Sequence, residues 1–205
     1  MRKVLPTLQI RDNYKARLLK TPCYLPYKAS KLRHFTIPEG VGSYNIPNVT
    51  YGILPKSVIF AMIHREAMNL NPIYNPYNFD HFNLERFNIT INGQNVFPKA
   101  IETNFENGDV LDLYRHMYDS LGVKHGNNSF GTTIGDFKNG KTFMVADLNP
   151  DQCNLYHTHP DAYGNLDLEL TFRKNLKQPI YVFAYMNYNS GIKIDQFQQV
   201  FKSNE

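Results

Sequence analysis

The sequence predicts an all-β chain, a sandwich of two antiparallel sheets with one short α-helix inserted at about 109–121. Three observations lead there. Leu166, Leu168, Leu170 and Phe172 alternate with Asp167, Glu169, Thr171 and Arg173, as a strand with one buried and one wet face requires. Asn92-Gly93 follows a second alternating segment and supplies the positive-φ pair of a tight hairpin. The period becomes helical only from Asp109, so strands and helices do not alternate and a parallel doubly wound sheet is disfavoured.

Taken in order, residues 1–26 read as a basic N-terminal arm or connector, in which Arg2, Lys3, Arg11, Lys15, Arg17 and Lys20 face only Asp12. Such an arm is a solvated connector or docking arm, or it makes weak contact with nucleic acid or an acidic neighbour. Thr21-Pro22 to Tyr27 is proline-punctuated and extended, because proline removes a donor and biases its predecessor toward β. Residues 32–37 form a short strand closed by Pro38-Glu39-Gly40, and residues 57–64 a denser one. In 84–91, Phe87, Ile89 and Ile91 oppose Asn88 and Thr90. The helix places Val110, Leu113 or Tyr114, Met117 and Leu121 on one side, with Asp109 to cap its start and Gly122 to end it. After a glycine- and asparagine-rich loop, 122–140, strands return at 141–148, 165–173, 179–188 and 191–200. One domain, 27–201, and a tail, 202–205, follow. Ile180 to Tyr185 is apolar on both faces, so that strand lies between a core and another layer, or faces a neighbouring subunit.

A chain of 205 residues with 42% hydrophobic and 14% aromatic content can bury a sizeable core as one domain. Its formal charge of +4 is spread among acidic residues outside the arm, so charge alone does not indicate nucleic-acid binding. The opening lacks a continuous apolar stretch and no run approaches the ~20 apolar residues that span a bilayer, which predicts a soluble intracellular protein with no membrane partner. Cys23 and Cys153 are expected as free thiols. Asn48-Val49-Thr50, Asn88-Ile89-Thr90 and Asn127-Asn128-Ser129 fit the glycosylation sequon, but an asparagine-rich chain produces such triplets by chance.

The sharpest chemical motif is His157-Thr158-His159-Pro160. Metal-dependent deubiquitinase-type proteases present two zinc ligands as His-x-His-Pro, but they need an Asp eleven residues after the second His, where this chain has Leu170; Asp167 comes three residues early. A cupin would need Glu four or five residues after that His, at Tyr163 or Gly164. Cys153, His157 and His159 retain the donor types of an incidental zinc site, against the plainer reading of a solvated loop. Asp109 with Asp112, and Asp167 with Glu169, read as helix-start and wet-face residues rather than catalytic pairs. No nucleophile elbow or phosphate-cradling loop is present, because Gly126, Gly131 and Gly135 lack Walker spacing. No catalytic, cofactor-binding or metal residue is therefore assigned, and no cofactor is expected.

A set of ordered landmarks remains. They are Phe35-Thr36-Ile37-Pro38 with Gly40, Gly52-Ile53-Leu54-Pro55-Lys56 leading into Ser57-Val58-Ile59-Phe60, Asn75-Pro76-Tyr77-Asn78-Phe79 leading into Asp80 to Leu84, then Asn92-Gly93, Asn104-Phe105, Tyr114, and Gly140 through Leu148. In this order, from about Pro26 to about Val200, the chain resembles the C-terminal half of double jelly-roll major capsid proteins of the Polinton/Maverick (adintovirus-like) type, including capsid-like genes embedded in animal genomes. The resemblance implies a jelly roll of eight main strands in two sheets, and a structural protein that self-assembles without catalysis. It implies partners that are copies of itself, as trimers or hexamers, and other capsid proteins, with location in a virion if the source is viral. The chain departs from that family in holding one jelly roll rather than two. An expressed half, a single-domain descendant and a host-adopted relative all stay open. The alternatives to assembly are a domesticated binding module for a protein or carbohydrate, and a metal-dependent enzyme built on His157 and His159.

Overall fold

A computed structural model describes residues 5–69, 71–121, 131–150, 160–197 and 199–202. These divide into two compact units, 30–187 and a smaller one of 1–29 with 188–205.

The larger unit is built on strands β1 (Cys23–Ile37), β2 (Ser43–Ile53), β3 (Ser57–His64), β4 (Leu84–Ile91), β5 (Gln94–Asn95), β6 (Ile101–Glu102), β7 (Phe143–Asp147), β8 (Tyr163–Phe172) and β9 (Ile180–Ile194). The ends of β1 and β9 belong to the smaller unit. One sheet has the order β1-β9-β3-β7 and the other β2-β8-β4-β5, with β6 on β4. Consecutive strands from β1 to β4, and again from β7 to β9, therefore change sheet at each step. β3 is antiparallel to β9 and β7, and β8 to β2 and β4. This is a jelly-roll β-sandwich of two antiparallel sheets.

Alternation explains why the layers pack. On β8, Leu166, Leu168 and Leu170 are fully buried, and they register against Ile91, Ile89 and Phe87 of β4. From the other sheet, β3 contributes Val58, Phe60 and Met62, and β9 contributes Ile180, Val182, Ala184 and Met186. Phe60 meets Phe87 edge to face across the sandwich, centroids 6.2 Å apart, an arrangement aromatic pairs favour. Asn92 and Gly93 have φ of 52° and 79°, and the hairpin closes with Ile91 opposite Gln94.

Several expectations change. The inserted helix is α3, Leu111–Ser120, and its N-cap is Val110 with no side-chain cap, because the Asp109 backbone is engaged in a bridge with Asn104. Leu113 and Met117 are buried as expected, and α3 packs on β7 and β6. It is not the sole helix: α1 (Leu8–Lys20), α2 (Arg65–Met68) and α4 (Ile134–Lys138) are also present. Thus the arm holds a helix, and the end of the 122–140 loop holds α4, which a capping box of Thr133 and Asp136 begins. β2 carries no clear strand period in the sequence, since Pro47 and a bulge between Ile46 and Thr50 interrupt its alternation. The segments 179–188 and 191–200 are largely one strand, β9; Gly191 continues it in the smaller unit, where an added Cβ would strike the Tyr24 ring. There β10 (Val200–Lys202) pairs with the end of β9.

Candidate functional site

A rigid sandwich offers function mainly through its loops and outer faces. A long connection, 65–83, runs from β3 to β4. Asparagine and aspartate carboxyls and carboxamides turn the chain repeatedly: Asn71 Oδ1 accepts from the Ile73 N–H (3.1 Å), and Asn75 Oδ1 from the Tyr77 N–H (2.9 Å). Such local bonds replace ladder bonds and are why asparagine favours turns. The loop's aromatics split into two groups. Phe79 stacks obliquely on Phe143, and Tyr74 and Phe82 flank His64 at 5.1 and 4.8 Å. Tyr77 and Ile73 point outward, 79% and 84% exposed. The segment is therefore at once a satellite cluster and a presenting surface.

Two histidines surround Asp80 at its base. His64 Nε2 lies 4.0 Å from Asp80 Oδ2, and His81 Nε2 lies 3.8 Å from Asp80 Oδ1. His81 stacks on Phe105 with centroids 4.0 Å apart. Burial lowers the His81 imidazole below its ordinary value, and the Asp80 carboxylate pulls the other way.

The two-sided apolar strand, β9, shows an inward and an outward set. Tyr181 and Phe183 lie beside His34 of β1, at 5.4 and 6.3 Å, and the Tyr185 hydroxyl donates to Ser30 Oγ at 2.8 Å. Tyr185 is 41% exposed, and Leu32 of β1 is also exposed. The smaller unit carries more such surface: Leu5, Leu8, Ile10, Tyr14, Leu19 and Phe201 are among its exposed apolar residues. It also concentrates charge, with nine Lys and Arg against three Asp and Glu, whereas the larger unit has thirteen against fifteen.

The residues weighed for chemistry fare differently. Cys153, His157 and His159 lie outside the described residues, as do Gly122, Gly126 and Asn127. Leu170 is a core residue. Asp167 Oδ1 accepts the Asn48 N–H at 2.8 Å, where Asn48 bulges from β2 with φ of 55°. Glu169 accepts from Asn88 Nδ2 at 3.1 Å. These carboxylates hold the outer face of their sheet together. Asn88 is 3% exposed in mid-strand, so that sequon is inaccessible in the fold, while Asn48 is exposed. Tyr114 and Tyr118 both donate to the Thr132 carbonyl, and the hydrogen bond with Tyr118 pushes Tyr114 up to about 12, so it stays a neutral phenol. An open cleft of about 550 Å³, lined by Asn92, Phe97, His116, Asp119, Asp147 and Asn149 among others, lies beside α3. Among the described residues, no group of three His, Cys, Asp or Glu is arranged to hold a metal ion, and no helix is long and apolar enough to cross a membrane.

This topology is shared with solved viral structures. A chain of the Sputnik virophage, seen by cryo-electron microscopy, aligns over 88% of this chain with a TM-score of 0.51 and 16% identity. PBCV-1 Vp54, a crystal structure fitted into a reconstruction of Sputnik, aligns over 97% with a TM-score of 0.52 and 11% identity. The chain has the fold of these viral jelly-roll proteins. It spans only 39% and 55% of their respective lengths. An uncharacterized Caenorhabditis elegans protein, F54H12.2, is 23% identical over 177 residues, covering 83% of this chain and 41% of that protein. No protein-family model matches the sequence.

Proposed function

We propose that the chain is a structural, capsid-type jelly-roll protein that associates with copies of itself through loops and sheet faces, without catalysis. The observation that carries this reading is the exposed apolar surface of an otherwise well-packed sandwich: Ile73 and Tyr77 at the 71–83 loop, Tyr185 and Leu32 on an outer sheet face, and the apolar residues of the smaller unit. Large apolar side chains left exposed on a packed fold are candidate contact points. The shared fold with Sputnik and PBCV-1 proteins supports the same direction. We further propose that the source is a Polinton/Maverick-type element or a host-adopted relative. On this reading residues 27–201 act as one jelly-roll domain, the basic segment 1–26 acts as a docking arm with at most weak nucleic-acid contact, and other capsid proteins join the assembly.

Light scattering across concentration, with negative-stain imaging of early-eluting material, tests the reading. Trimers, hexamers or shells are expected. A monomer at every concentration would overturn it in favour of a ligand-binding descendant or an isolated half of a longer protein.

A further inference from the structure

The 71–83 loop repeats one device. At Asn71, Asn75 and Asp80 a side-chain oxygen captures the backbone N–H two residues on, at 3.1, 2.9 and 3.3 Å. The fourth such turn follows at once but uses a different acceptor. The Asn83 N–H donates at 2.9 Å to Nδ1 of His81. That nitrogen must be unprotonated to accept, which places the ring proton on Nε2, facing Asp80. A carboxamide oxygen keeps its role as acceptor across the physiological pH range, whereas an imidazole nitrogen does not.

The turn it holds is strained. Phe82 and Asn83 adopt successive left-handed conformations, φ of 46° and 52°, which side-chain-bearing residues keep only when their surroundings over-determine them. The restraints are Asp80 on the Phe82 N–H, His81 on the Asn83 N–H, the Leu84 N–H on the His81 carbonyl (2.9 Å), and the Arg173 N–H on the Asn83 carbonyl (2.9 Å). The charged and titratable groups around them are Asp80 and His64, then Glu106 beside Phe105, paired with Lys174, and Glu85, paired with the Arg173 guanidinium.

We propose that His81 is a proton-operated latch: protonation of Nδ1 turns its acceptor into a donor opposed to the Asn83 N–H, and frees the 80–83 turn that anchors the loop presenting Ile73 and Tyr77. The proton comes from solvent, and Asp80 is placed to receive the imidazolium once the ring swings out. Burial of the neutral ring gives the sign: stability is complete above the ordinary histidine value of 6.5 and declines as pH falls through it. The latch stands on the loop geometry alone; its consequence, pH-dependent association, rests on the assembly reading above.

Amide hydrogen exchange by NMR on the full chain, from about pH 7.5 to about pH 5 and normalised to intrinsic rates, tests it. Protection at Asn83 is expected to fall, by up to roughly tenfold per pH unit as pH drops from the ordinary histidine value toward the His81 midpoint, while the Asn92 amide, held by the Asn165 carbonyl outside the loop, does not change. His81→Asn keeps an acceptor and removes the titration, so its Asn83 protection should be flat with pH. Protection at Asn83 that parallels Asn92 throughout, or a variant that titrates like the wild type, overturns the latch. Should His81→Asn lose the Leu84 and Arg173 amide protection at neutral pH, the wild-type ¹⁵N shift of His81 Nδ1 decides: a midpoint shared with Asn83 exchange supports the latch, and a separate one overturns it. Light scattering on the same samples separates the two readings. A monomer at every pH with a titrating Asn83 defeats only the assembly reading, and pH-dependent association with a flat Asn83 defeats only the latch.

Discussion

Gly140 shows how one residue positions the loop. Its φ of 95° lies where a side chain is strained, and a Cβ there would meet Asn78 Oδ1. Its carbonyl accepts the Phe79 N–H at 2.9 Å, which seats the 71–83 loop beside β7. Gly140→Ala is therefore expected to cost about 1–3 kcal/mol in denaturant unfolding, with part of the loss recovered in an Asn78→Gly background, where the clash is absent but the backbone strain remains. From sequence this glycine was legible only as one landmark among others. The partition of the loop aromatics was not legible, because turns made by side-chain oxygens rotate successive residues without a period, so Tyr77 and Phe79 look alike until the bonds at Asn75 and Gly140 are seen.

Among the elements, legibility follows the strength of the period. β8 reads cleanly because Leu166, Leu168, Leu170 and Phe172 enter the core at every second position, β4 because its apolar residues alternate in sequence although Asn88 and Thr90 are buried too, and β3 because it is apolar along its length. β2 escaped because a proline and a bulge break the alternation. α1 escaped because Leu8, Ile10, Tyr14, Leu18 and Leu19 scatter around the helix and only Leu18 is buried. The signal for α4 was present in Thr133 and Asp136, which satisfy each other's backbone donors at 3.1 Å. That cap docks the buried Phe137, which meets Tyr114 of α3 edge to face at 5.5 Å. Thr133→Ala should lower stability by about 1 kcal/mol and selectively increase exchange at Asp136, whose N–H the Thr133 hydroxyl accepts, as thermal unfolding and hydrogen exchange would show.

At the scale of the whole molecule, fold and association should be separable. The double substitution Ile73→Asp with Tyr77→Asp falls on outward side chains, so it should leave thermal stability within about 0.5 kcal/mol while reducing or abolishing the oligomer in light scattering. An unchanged oligomer would move the contact to the outer face of β9 and β1. The pairing that builds the sandwich has a further consequence. β3, flanked by β9 on one side and β7 on the other, registers Val58 with Met186 and with Ala146. During translation at ~5–20 residues per second, the ribosome finishes β9 roughly 6–25 s after β3 has been made. Both hydrogen-bonding edges of Ser57–His64 are open until β7 is made, and the edge that β9 takes stays open through the whole interval, so the nascent protein depends on whatever shields that apolar segment until β9 leaves the exit tunnel.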